Sequence, residues 1–233
     1  MKTVLITGAS RGIGAETAKE FAKNGWTVLI NYNKSQSQVQ ELQRQLTNLG
    51  CDVHLMQADL SNPCQVEQMF EKINKLFHRL DVLVNNAGQS LYSQLQDVTV
   101  LQFDQLMAVN ARAPFLCSQK AVDLFLKQGS GAIVNVSSIW GLQGASCESV
   151  YSMSKFALIG LTLSLHEEIG DFVNVNCVCP SIVATDMCAH LTDEELTAFL
   201  DEHCGRILKA EEVAKSIYEV ATTDQSGRII EIK

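Results

Sequence analysis

The sequence predicts a single α/β domain, doubly wound, with a mostly parallel seven-stranded sheet and helices on both faces. Three observations carry that prediction. Seven short apolar runs recur along the 233 residues, at 3–7, 27–31, 52–57, 82–85, 132–137, 173–179 and 228–232. Helical patterns fill the intervals, at 12–24, 35–49, 63–77, 99–127, 151–169 and 210–221. Strands that alternate with helices pair in parallel and are buried on both faces, so they read as continuous apolar runs. Finally, no internal repeat, linker or low-complexity segment divides the chain, whose length suits one domain with a large core.

Each element has a local reason. The run at 3–7 enters a glycine-rich turn, from which the helix at 12–24 starts and runs to Gly25. After the strand at 27–31, the Gln-rich stretch at 35–45 reads as an exposed helix that ends at Gly50. Pro63 fits the first turn of the helix at 63–77. The pattern at 99–127 predicts one long helix between the strands at 82–85 and 132–137. The helix at 151–169 ends at Gly170, before the strand at 173–179. Cys177 and Cys179 alternate along that strand and should face the same side, into the core. The helix at 210–221 precedes the last strand.

Composition narrows the function classes. Hydrophobic residues make up 46% and charged residues 19%, which excludes disorder. A net charge of −8 argues against nucleic acid as a partner. No run of about 18 apolar residues exists, so no membrane span is expected. Residues 1–6 read as a buried strand rather than a signal peptide. Eight cysteines include no Cys-x-x-Cys pair and five histidines are scattered, so reduced thiols, a cytoplasmic location and no metal are expected.

Two groups of residues carry chemistry. The first is the turn Gly8-Ala9-Ser10-Arg11-Gly12-Ile13-Gly14, between a strand and a helix. That context makes it a Rossmann-type dinucleotide turn rather than a plain tight turn: glycines let the backbone approach a diphosphate, and the helix start offers free N–H groups. The second strand ends at Asn31-Tyr32-Asn33-Lys34, without the carboxylate that would bind the 2′-hydroxyl of NAD. Arg11 and Lys34 can pair instead with a 2′-phosphate, which favours NADPH over NADH; the alternative is that both are solvated surface cations. The second group is Ser138, Tyr151 and Lys155. Tyrosine and lysine four apart share a helix face, and the ammonium favours the phenolate. A serine from the preceding strand can donate to the same carbonyl oxygen.

With Asn85-Asn86-Ala87-Gly88 between these two groups, the chain resembles the classical short-chain dehydrogenase/reductase family over nearly its whole length. The resemblance implies a carbonyl reductase or alcohol dehydrogenase that uses NADPH/NADP. It assigns Tyr151 as general acid, Ser138 as the group that orients the substrate oxygen, and Lys155 as a ligand of the nicotinamide ribose. Asn110 would hold a water in the proton relay. Asp59 and Leu60 would meet the adenine, and Asn86, Ala87 and Gly88 would wall the adenosine ribose. Pro180, Val183 and Thr185 would reach the nicotinamide. The family's Pro-Gly at that turn is Pro180-Ser181 here, which puts the nicotinamide geometry in doubt.

The resemblance implies a ketone as substrate. The motifs are closest to the 3-oxoacyl-acyl-carrier-protein reductase branch, whose lid and following turn 180–206 resembles, Cys204-Gly205-Arg206 included. The stretches 129–132 and 166–171 are poor in arginine, which argues against an acidic acyl carrier protein as the docking partner. The loop 138–148 instead resembles reductases of the 5-aminopentanone modification on translation elongation factor P. In that alternative Trp140 would meet the substrate ammonium by cation–π contact and Glu148 by a charge-assisted hydrogen bond; otherwise Trp140 packs under the loop and Glu148 is solvated. A homodimer or homotetramer is expected, through the helices at 99–127 and 151–169. The family's usual tail is missing after Lys233, which makes the tetramer less secure. A nonenzymatic NADP-sensing or scaffold protein is the remote alternative.

Overall fold

The computed structural model describes residues 1–188, 194, 197, 200 and 205–233. Part of the expected lid at 180–206, with Cys204, lies outside the described residues. Seven strands form one sheet: β1 (Thr3–Ile6), β2 (Thr27–Tyr32), β3 (Val53–Gln57), β4 (Val82–Asn85), β5 (Gly131–Val136), β6 (Val173–Pro180) and β7 (Ile229–Ile232). Their order is β3-β2-β1-β4-β5-β6-β7 and every pairing is parallel. The predicted doubly wound class is borne out, and the sheet is wholly parallel rather than mostly so.

The described helices are α1 (Gly12–Lys23), α2 (Gln36–Asn48), α3 (Pro63–Phe77), α4 (Val100–Met107), α5 (Ala113–Gln128), α6 (Ser149–Ile169) and α7 (Ala210–Ala221). Strand periodicity divides the core in two. Val4 and Ile6 of β1 face the layer of α1, α2 and α7, where Phe21 meets Trp26 and Tyr218 edge-on at 5.1 and 5.0 Å. Leu5 faces the opposite layer with Phe70, Ile73 and Phe125 of α3 and α5. Each such buried side chain contributes roughly 1.5–3 kcal/mol. Cys177 and Cys179 are fully buried and face one side, their sulfurs 3.9 Å apart. No described helix is long and apolar enough to cross a membrane.

The expected single helix at 99–127 is instead α4, a π turn over Ala108–Arg112, and α5. Pro114 is one reason. It has no N–H, so the carbonyl of Asn110, four residues earlier, lacks its usual helical donor. A widened turn here also carries Asn110 to full burial.

The strand order reverses between β1 and β4. In open parallel sheets, ligands bind in the crevice at the carboxyl ends of the strands, at such a reversal. Both chemistry-bearing groups of the sequence lie at that edge.

Candidate active site

The crevice is built from two loops that touch. A Cβ on Gly8 would lie 2.7 Å from the Ala87 Cα, and one on Gly14 would lie 2.5 Å from the Asn86 Nδ2. Only glycine permits either approach. Asn86 Nδ2 donates to the carbonyls of Thr7 (2.8 Å) and Gly8 (3.2 Å). The Thr7 hydroxyl accepts from the N–H groups of Asn86 (2.9 Å) and Ala87 (3.0 Å). The turn after β1 and the loop after β4 are thus one rigid unit. Asn31 supports it from β2, accepting from the Gly8 N–H at 3.2 Å.

The first turn of α1 has no side-chain cap and no acidic residue. Its N–H groups and the positive end of its dipole are therefore available to an anion. Thr185 reaches over this turn, its Cγ2 3.4 Å from where a Gly12 Cβ would be. The donor set fits the diphosphate of a nicotinamide dinucleotide. At the far end Asn33, Lys34 and Arg11 are exposed. Arg11 stands 3.6 Å from Asp186. Hydrogen bonds from Ser61 hold the Asp59 carboxyl below its usual range, and Asn33 and Lys34 add to the effect.

Two of the expected cofactor residues bury their side chains. The Tyr32 ring is 7% exposed and belongs to the α1–α2 core layer, not to the open crevice. The Leu60 side chain is buried in the opposite layer. In both places the side chain goes to an apolar contact, so a ligand would meet the backbone. Val183 is buried and bridges to Leu208. Ser181 does not adopt a positive φ, so its backbone needs no glycine. Its buried hydroxyl has no hydrogen-bond partner among the described residues.

The reactive cluster sits on α6 and the end of β5. Tyr151 and Lys155 are both buried, and the ammonium lies 5.6 Å from the phenol ring centroid. Lys155 Nζ donates to the Val136 carbonyl at 3.0 Å. Burial pulls its pKa down to about 8; the neighbouring Cys177 and Cys179 act in the opposite sense. Ser138 accepts from the Trp140 N–H at 3.2 Å, which leaves its own proton for another acceptor. Ser137 turns the other way and donates to the Lys155 carbonyl at 2.8 Å, fastening α6 to β5. Its neighbour Ser138 is then the one turned toward a ligand.

Asn110 is held by its side chain. Its amide is fully used: Oδ1 accepts from the Gln89 N–H (2.8 Å), and Nδ2 donates to the Gln89 carbonyl (2.8 Å) and to Ser154 Oγ (3.1 Å). The side chain is a clamp, and the carbonyl is the group whose usual i+4 donor Pro114 removes. Gly88 lies between this clamp and Lys155: a Cβ there would be 3.4 Å from Lys155 Nζ. Gln89, Ser137 and Ser154 are the site residues that sequence reasoning missed. Neither their type nor their spacing marks them; only the fold brings them to the cluster.

Trp140 is half-buried and packs on a small apolar cluster of Leu106, Val150 and Tyr151. Glu148 precedes the first turn of α6 and caps no N–H with its side chain. Half-buried, its carboxyl is pushed up to about 7 by desolvation.

A buried ammonium behind a tyrosine, next to a serine with a proton to give, can stabilise and protonate a carbonyl oxygen. With a dinucleotide cleft beside it, this defines an oxidoreductase of a carbonyl–alcohol pair. The comparisons agree: the profile of the short chain dehydrogenase family matches residues 2–196, and the chain belongs to that family. An "uncharacterized oxidoreductase" of Thermotoga maritima is 39% identical over 97% of this chain and 92% of its own length. A 3-oxoacyl-[acyl-carrier-protein] reductase of Synechocystis is 34% identical over 98% of this chain and 92% of its own. A short chain dehydrogenase from Burkholderia cenocepacia, solved in complex with NADP, superposes with a TM-score of 0.92 at 32% identity, covering 100% of this chain and 96% of that one.

Proposed function

We propose that the protein is an NADPH-dependent carbonyl reductase of the 3-oxoacyl-reductase kind. The observation that carries this is Lys155, a buried ammonium held between the Val136 carbonyl and the Tyr151 ring. Tyr151 gives a proton to the substrate oxygen, and Ser138 donates a second hydrogen bond to it. Lys155 keeps positive charge beside the phenol as its proton departs. Bound NADPH supplies the hydride. The Synechocystis relative, named for a 3-oxoacyl substrate on an acyl carrier protein, supports a 3-oxoacyl thioester as the ketone.

Selection of NADPH rests on Arg11 and Lys34, both exposed where a carboxylate is absent. Arg11→Ala removes one charge-assisted contact to a 2′-phosphate, worth about 1.5–3 kcal/mol. The ratio of kcat/KM with NADPH to that with NADH should fall by roughly 10–100-fold. Equal efficiency with both cofactors in the parent protein would refute the assignment.

Glu148 favours a second reading. A half-buried carboxyl with a pKa near 7 and no side-chain partner among the described residues is readily charged again when a cation arrives. A ketone bearing an ammonium, as in the 5-aminopentanone modification of elongation factor P, supplies one. Trp140, committed to packing, carries less of this reading. Glu148→Gln should weaken an aminoketone by roughly tenfold or more and leave a neutral ketone of equal size within about twofold. Equal losses on both would show that Glu148 only shapes the loop.

The same proposal includes a homodimer. Met153, Phe156 and Leu163 are exposed in one stripe of α6, beside an open face at Gly160. A second copy covers such a stripe by the same stripe. Sedimentation of the parent as a monomer at micromolar concentration would exclude it.

A further inference from the structure

We infer that Ser154 is a positioning residue for the reaction, one that joins the backbone of Tyr151 to the loop beside Lys155. The inference rests on the reading of Tyr151 as proton donor. Ser154 is fully buried. Its hydroxyl donates to the Tyr151 carbonyl at 2.6 Å and accepts from Asn110 Nδ2 at 3.1 Å. Asn110 is equally buried, and holds Gln89 by its N–H and its carbonyl, as a neighbouring strand would. Gln89 follows Gly88, whose α-carbon faces Lys155 Nζ.

A closed ring of contacts results. It runs from the Tyr151 peptide through Ser154, Asn110 and Gln89 to Gly88, and returns through Lys155 along α6. The π turn brings Asn110 to this ring, and Ser154 connects it to the helix that bears the reacting groups. Without the hydroxyl, Asn110 keeps Gln89 but loses its tie to α6. The distance between the phenol and the loop after β4 is then free to drift. Small displacements at a reacting centre cost rate rather than affinity. Nothing else at position 154 requires serine: alanine has the better helix propensity and removes one oxygen.

Ser154→Ala should therefore lower kcat by about tenfold, with KM for NADPH and ketone within about twofold. The alkaline limb of the kcat profile should shift, because the phenol no longer keeps its distance from the loop that faces the ammonium. In an Asn110→Ala background, where the tie is already absent, the same substitution should change kcat by less than about twofold. A readout free of turnover accompanies these. Hydrogen exchange at the Gln89 amide, which donates to Asn110, should quicken several-fold in Ser154→Ala. Parental kcat, or an equal loss in both backgrounds, would overturn the inference. A lower melting temperature with an unmoved pH profile and unchanged kcat would reduce Ser154 to a structural role and overturn it too. Should the alanine variant fail to fold, Ser154→Cys, which keeps a weaker donor, is read by the same criteria. If the parent reduces no ketone, the proposed function fails, and the Gln89 exchange rate still decides whether Ser154 holds the loop.

Discussion

Tyr151→Phe should reduce carbonyl reduction by at least about 10²-fold, with NADPH affinity within about twofold of the parent. The change is small in space. Tyr151 is 7% exposed and packs with Leu106, Val150 and Trp140, contacts that a phenyl ring keeps. Lys155, the glycine turn and the Thr7–Asn86 bonds are untouched. The hydroxyl is lost, and with it the proton donor. Initial rates on any ketone the parent reduces, paired with NADPH fluorescence titration, separate the two effects. Turnover near the parental rate would sink the assignment of Tyr151.

Lys155→Met should abolish turnover to a similar extent and make the folded protein more stable. A group whose folded pKa lies at about 8, against a reference near 10.5, penalises folding while it is protonated. Between those values the unfolded chain binds more protons than the folded one, so stability rises with pH through that window. Below about pH 8 the penalty is fully present. At neutral pH it is on the order of 3 kcal/mol, and loss of the charge-assisted bond to the Val136 carbonyl takes back about 1.5 kcal/mol. The melting temperature of Lys155→Met at pH 7 should therefore exceed that of the parent by roughly 2–8 °C. The margin should narrow as pH is raised toward 10. A lower melting temperature would show that the ammonium is held by favourable contacts rather than tolerated for its function.

The strands were legible because burial on both faces leaves nothing but apolar residues to write them. Predicted and observed ends of β1, β4 and β7 differ by at most one residue. Pro63 placed the start of α3, where Asn62 caps the Cys64 N–H at 3.0 Å. The interruption after α4 was not seen, although Pro114 announces it. An apolar pattern reports which face is buried, not which carbonyl lacks a donor. At the site, Tyr151, Lys155 and the glycine turn were readable because local spacing alone sets their geometry. The Asn110 clamp was not, since its partners lie 21 and 44 residues away. Tyr32 was assigned by its place at a strand end, which cannot tell an alternate side chain in the core from one in the crevice. The desolvation of Glu148 likewise depends on how the loop before α6 packs, and no residue type in that loop encodes it.

The most direct test is NADPH oxidation by the purified parent protein, with a short 3-oxoacyl thioester and an aminoketone side by side and NADH as the control. Saturable oxidation of NADPH with at least one ketone, lost in Tyr151→Phe, is the expected result, and the preferred ketone chooses between the two substrate readings. No oxidation with either ketone, in a protein that binds NADPH, would contradict the assignment of a carbonyl reductase.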